Sequence, residues 1–165
     1  MVLTKDELIG SLQNEVRILL HLAGKVDDRS VNYKPADGMR TTLEWLRYMT
    51  LMGPALVNAA KTGTFDGAAW GAKQAVADQM NVEQAMAEIA TQSAMFAKEI
   101  GEMSDASFRE EIEMFGQKYT RGAFLVNLVL SGYAAYRTQI FVYLKSCGRA
   151  ELNTMNLWAG MDAPM

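Results

Sequence analysis

The stretch Gly132-Tyr133-Ala134-Ala135-Tyr136-Arg137-Thr138-Gln139-Ile140-Phe141-Val142-Tyr143-Leu144-Lys145-Ser146-Cys147-Gly148 decides the fold. With the residues before it, it places Leu125, Leu128, Val129, Gly132, Tyr136, Ile140 and Tyr143 on one face at the helical step of about 100° per residue. The segment from about Thr120 to Ser146 therefore reads as one long helix, closed by Gly148, which suits a C-terminal cap. A helix with such a stripe must bury it against other elements. Inside it, Gly132 and Tyr136 stand four residues apart, the spacing at which two imidazoles on one helix face would grip a metal ion. Here the pair is glycine and tyrosine.

Three partner helices announce themselves by capping boxes. Thr4-x-x-Glu7 opens a helix over roughly 5–24, Thr41-x-x-Glu44 one over roughly 42–61, and Asn81-x-x-Gln84 one over roughly 82–103. Leu8, Ile9, Leu12, Val16, Leu19 and Leu20 share a face of the first. Trp45, Tyr48, Met49, Met52 and Leu56 share one of the second. The third is alanine-rich, with Val82, Met86, Ile89, Met95, Phe96 and Ile100 as its contacts.

The connections differ in character. Residues 25–40 hold Pro35 and Gly38 and read as an extended loop with turns. Residues 62–80 hold Gly63, Gly67 and Gly71 with Phe65 and Trp70, an aromatic loop long enough to be a lid or a crossover. Within 104–119, Glu110, Ile112 and Met114 alternate with charged neighbours, which suits a short strand-like segment. After Gly148 the tail keeps Leu152, Met155, Leu157 and Trp158, and is expected to pack on the helices. The fold expected is all-α: one domain over 1–165, a four-helix bundle with a long crossover connection.

Composition bounds the function. Sixteen Lys and Arg against nineteen Asp and Glu, with no basic run, argue against nucleic acid as a partner. One cysteine cannot form an internal disulfide, and the N-terminus lacks the charged-then-apolar order of a signal peptide. The most apolar stretch, Ala123 to Leu144, includes Asn127, Arg137 and Gln139 and makes a poor membrane span. The expectation is a cytoplasmic protein that needs no membrane.

Two blocks resemble the DinB-like family. Asn32-Tyr33-Lys34-Pro35-Ala36-Asp37-Gly38-Met39, followed by Thr41-Thr42-Leu43-Glu44, is similar to the loop that leads into the helix carrying that family's first metal-binding histidine. Gly132 to Gly148 looks like its closing helix, where two histidines four apart precede Arg-Gly-Gln. Carried over, the first histidine falls at Tyr48 and the others at Gly132 and Tyr136. Arg137 and Gln139 match, and Thr138 replaces glycine. The resemblance implies a homodimer, and a metal that activates a thiol for transfer or isomerisation. With all three imidazoles replaced, no metal and no cofactor are expected here.

Each candidate has a plainer reading beside the functional one. Tyr48, Gly132 and Tyr136, with Gln139 and with Trp45 as a wall, form either a ligand pocket or a core in which phenols fill the space of a lost metal. Tyr143 lies on the same face. Arg137 would serve an anionic or thiol ligand, but the wheel turns it about 100° from Tyr136. His21, the only histidine, lies opposite the apolar face of its helix and is expected at solvent or an interface. No glutamate stands three residues before it, which closes the di-iron alternative. Cys147 is expected to be an inert thiol, and the twelve methionines mostly core filling. Ile18 and Leu22, off the main stripe of the first helix, suit a dimer surface. The expected function is small-molecule binding or a structural role. The alternative is a thiol-dependent transferase or isomerase with a metal-independent pocket.

Overall fold

The computed structural model describes residues 3–164, which are mostly helical. Its long elements are α1 (Lys5–Ala23), α2 (Thr42–Thr62), α4 (Val82–Gly101), and a C-terminal run made of α5 (Arg121–Phe124), a wide turn over Leu125–Leu130, and α6 (Ser131–Ser146). All three capping boxes form. Glu7 N donates to Thr4 Oγ1 at 3.2 Å while Thr4 N donates to Glu7 Oε2 at 2.7 Å. Thr41 with Glu44 and Asn81 with Gln84 repeat the arrangement. Gly148 takes the left-handed conformation, φ +90°, that ends the closing helix. Both α1 and α2 pack against α4 and α6, so the core lies between them. No helix of the described residues is long and apolar enough to cross a membrane.

Pro54 sits inside α2 and has no N–H, so the Thr50 carbonyl one turn earlier loses its helical donor. Gln92 of α4, fully buried, supplies a replacement: its Nε2 donates to the Thr50 carbonyl at 3.3 Å and to that of Met49 at 2.9 Å. Its Oε1 accepts from the Tyr133 hydroxyl. Gly53 opens the space for that phenol, because a Cβ there would overlap the Tyr133 hydroxyl. The Thr50 carbonyl, Gln92 and Tyr133 thus satisfy one another inside the core.

Residues 62–80 are not an open loop. Gly63 ends α2 at φ +79°, Asp66 caps the next helix through Ala69 N at 2.9 Å, and α3 (Gly67–Ala77) follows. Five alanines outweigh Gly67 and Gly71 in that helix. The strand-like segment is a hairpin, β1 (Glu111–Met114) with β2 (Gln117–Thr120), antiparallel with Met114 opposite Gln117. Ile112 and Met114 face the core. Its turn, Phe115-Gly116, has φ +52° and +76°. Phe115 is the one non-glycine with positive φ among the described residues, and a left-handed residue with a Cβ costs about 1–2 kcal/mol.

The wide turn over Leu125–Leu130 corrects the facing of the closing helix. Such a turn takes up about one extra residue compared with an α-helical one. Every later position is therefore rotated back by about 100°. Tyr133 and Arg137 become buried, while Gly132 and Tyr136 are only half-buried.

The C-terminal segment lies across α1. Arg17 donates to the carbonyls of Ala159 (2.8 Å) and Gly160 (3.2 Å), and a Cβ at Gly160 would sit 3.0 Å from Ile18 Cα. Ile18 and Leu22 are accordingly buried within the chain itself.

Candidate functional site

A cleft of about 500 Å³ opens between α2, α3, the hairpin turn and the start of α6. Tyr48 and Tyr136 line it, with ring centroids 5.3 Å apart at 80°. Gly132 lies beside them. A Cβ there would meet Met52 Cε at 3.2 Å before Tyr136 at 3.9 Å, so the glycine makes room chiefly for Met52. Trp45 stands behind the phenols, 4.6 Å from Tyr136 and 5.7 Å from Tyr48 between centroids, and is 7% exposed. It backs the site without lining the cleft.

Gln139 is not brought in. It shares a face with Gly132 but lies seven residues on, about 10 Å along the axis, beyond the cleft. Tyr143, four residues further, belongs to the core. Its hydroxyl accepts from Trp45 Nε1 and donates to the Arg40 carbonyl, both at 3.3 Å. Neither Tyr48 nor Tyr136 is tied into the networks that hold Tyr133 and Tyr143.

Burial, and then the neighbouring Tyr136 hydroxyl, push Tyr48 up to about 12. The Arg40 guanidinium, 4.5 Å from the Tyr48 ring centroid and 4.9 Å from that of Trp45, opposes this. No charged side chain lines the cleft among the described residues. Nor do any three His, Cys, Asp or Glu side chains cluster there or elsewhere among them as metal ligands. Glycine offers no donor, and a phenol held this far above neutral pH is a poor one for zinc or nickel. The residues do not fit such a metal.

The other candidates serve elsewhere. Arg137 is 3% exposed, turned about 100° from Tyr136 on α6 and outside the cleft lining. It pairs with Glu15 of α1, donates to the Leu157 carbonyl, and lies 5.1 Å from the Trp158 ring centroid. It anchors the C-terminal segment and cannot reach the cleft. His21, expected at solvent or an interface, is 17% exposed because that same segment covers it. Asn156 Nδ2 donates to its Nε2 at 3.0 Å. Burial, then Lys25, hold its pKa below the usual imidazole value. Burial, then Asp27, push the Cys147 thiol up, which favours its protonated form.

Sequence reasoning noted Phe65 and Trp70 as an aromatic loop without joining them to the phenols. They line the same cleft, with Trp70 centred 5.8 Å from Tyr48 and 5.7 Å from Phe65. Phe115, centred 5.5 Å from Phe65, was missed altogether. Its signal was the pair Phe-Gly between two alternating runs, which is a two-residue hairpin turn. A second space, about 570 Å³ between the start of α1 and the hairpin base, holds none of the predicted residues.

No family model matches the chain, and no curated protein matches it. A solved structure does: that of a DinB-like protein from Bacillus subtilis, at 20% identity and a TM-score of 0.68, over 89% of this chain and 95% of that one. At that identity the likeness speaks for the fold alone. The chain has the helical-bundle fold of a DinB-like protein.

Proposed function

We propose that this chain is a small-molecule binding protein on a DinB-like bundle. By the resemblance, Tyr48, Gly132 and Tyr136 stand where the family carries its three imidazoles. The observation that carries the reading is the cleft itself: two phenols from α2 and α6 border about 500 Å³ of space and do not close it. Apolar walls with a few hydroxyl and amide groups are the usual make-up of a ligand site. Transferase or isomerase chemistry would need a base or carboxylate beside the phenols. The described residues lining the cleft include no carboxylate, imidazole or thiol. The resemblance also makes a homodimer part of this proposal, read by light scattering as a mass near twice 18.3 kDa.

The test is a thermal-shift screen of small molecules on the wild type and on Tyr136→Ala, with metal analysis of the purified protein. A ligand at a hundred times its Kd adds about 2.7 kcal/mol. In a chain of this size that raises Tm by about 5–11 °C. Tyr136→Ala is expected to lose the shift. Stoichiometric zinc or nickel in the purified protein refutes the metal-free reading.

A further inference from the structure

We infer that the cleft takes a neutral, planar aromatic molecule, and that Phe115 on the hairpin turn is one of the rings that hold it. The inference rests on the binding role proposed above and names the ligand class.

Five rings from five separate segments form a continuous arc around the cleft. Successive centroids run Phe115 to Phe65 at 5.5 Å, Phe65 to Trp70 at 5.7 Å, Trp70 to Tyr48 at 5.8 Å, and Tyr48 to Tyr136 at 5.3 Å. Their interplanar angles of 59°, 46°, 64° and 80° mean that no ring of the arc is covered by a parallel neighbour in it. The preferred guest for such rings is another ring, held offset or edge to face.

Charge argues against ionic guests. An aromatic arc also suits a quaternary ammonium ion, but no carboxylate lines this one, and Arg40 already lies against the Tyr48 ring. An anion would leave water for a cleft with no cation in its lining. A neutral ring avoids both costs and can still hydrogen-bond the Tyr48 and Tyr136 hydroxyls and the Asn127 side chain.

Phe115 is the independent pointer. A two-residue hairpin turn with both φ positive favours asparagine followed by glycine. This turn keeps Gly116 but puts phenylalanine at φ +52°, with the side chain 61% exposed. The hairpin does not need that ring for its own packing, because Ile112 and Met114 are the residues it turns to the core. Backbone strain concentrates at ligand sites, and here it falls on an exposed apolar side chain at the cleft rim.

The experiment is a fluorescence titration at pH 7 with 2-naphthol, a neutral and rigidly planar fluorophore. It uses the wild type, Phe115→Asn and Ala135→Trp, each checked by thermal melting. Ala135 is exposed and lines the cleft, so tryptophan there fills it from the rim. Expected is saturable one-to-one binding, lost in Ala135→Trp and weakened at least about fivefold in Phe115→Asn. The Tm of Phe115→Asn should be unchanged or higher, because the turn is relieved. Tetramethylammonium should not displace the probe. Probe binding that Ala135→Trp abolishes but Phe115→Asn leaves unchanged overturns this inference while the binding role stands, and displacement by tetramethylammonium does the same. Failure of the wild type to bind the probe overturns the ligand class, and failure of the whole thermal-shift screen overturns the binding role with it.

Discussion

Glu15→Ala strands the Arg137 guanidinium inside the protein. The two side chains are 12% and 4% exposed. Nε and Nη2 of Arg137 each reach a different carboxylate oxygen, the latter at 3.2 Å. Nη1 donates to the Leu157 carbonyl, and Trp158 covers the guanidinium. Removing one partner of a buried pair costs about 3–5 kcal/mol, because the remaining charge has no water to return to. At about 2–4 °C per kcal/mol for a chain of this length, Tm falls by about 6–20 °C. The double variant Glu15→Leu with Arg137→Met should recover much of that loss, since replacing a buried pair by apolar side chains of similar volume is often close to neutral. Recovery stops short of complete because the Leu157 carbonyl also loses its donor. Urea denaturation of the three variants, with equal m-values, measures the cycle. A loss below about 1 kcal/mol for Glu15→Ala, the size expected of a surface pair, refutes the argument. So does a double variant no more stable than the single one.

At α2, Gly53→Ala should destabilise by about 1–3 kcal/mol, since the added Cβ overlaps the Tyr133 hydroxyl, and Tyr133→Phe should restore part of the loss. Additive effects in the melting curves of that pair would count against the contact. The single histidine yields one set of imidazole NMR signals. With its folded pKa lowered by burial, its contribution to stability is present above the unfolded value of 6.5 and fades as pH falls through the folded one, so a midpoint at or above 6.5 contradicts the buried site. Tyr48 runs the other way. Its pKa is raised from 10 to about 12, so its contribution is whole below pH 10 and declines as pH rises towards 12. Tyr48→Phe should flatten that alkaline slope in chemical denaturation, and an unchanged slope would show that Tyr48 is not its source.

How far the molecule could be read from its sequence depended on how local the signal was. Thr4, Thr41 and Asn81 cap their helices through groups three residues away, so spacing alone found them. Ile112 and Met114 alternated into the core as their pattern demanded. Arg137 was recognised at its position, but its partner Glu15 lies 122 residues earlier, and no spacing rule joins the two. His21 was read from the wheel of its own helix, which cannot show that residues near Asn156 return to cover it. α3 was hidden by Gly67 and Gly71, whose low propensity obscured the alanines around them.

The candidate site was half legible, and the wide turn explains which half. On an uninterrupted wheel from Leu125, Gly132 and Tyr136 share the core stripe, and Tyr133 and Arg137 point away from it. The extra residue taken up between Leu125 and Leu130 exchanges these pairs. Tyr133 and Arg137 move inward and find Gln92 and Glu15, the partners that buried polar groups require. Gly132 and Tyr136 swing out to a rim that Phe65, Trp70 and Phe115 approach from three other segments. The phenols therefore stand at the edge of the core, packed against it on one side, and the aromatic residues opposite are carried by the connection before α3, by α3 itself and by a hairpin turn, not by the bundle. Such widened turns concentrate at functional sites, where one extra residue re-aims side chains without unmaking the helix. In this chain that residue separates a packed four-helix core from a core with a cleft beside it.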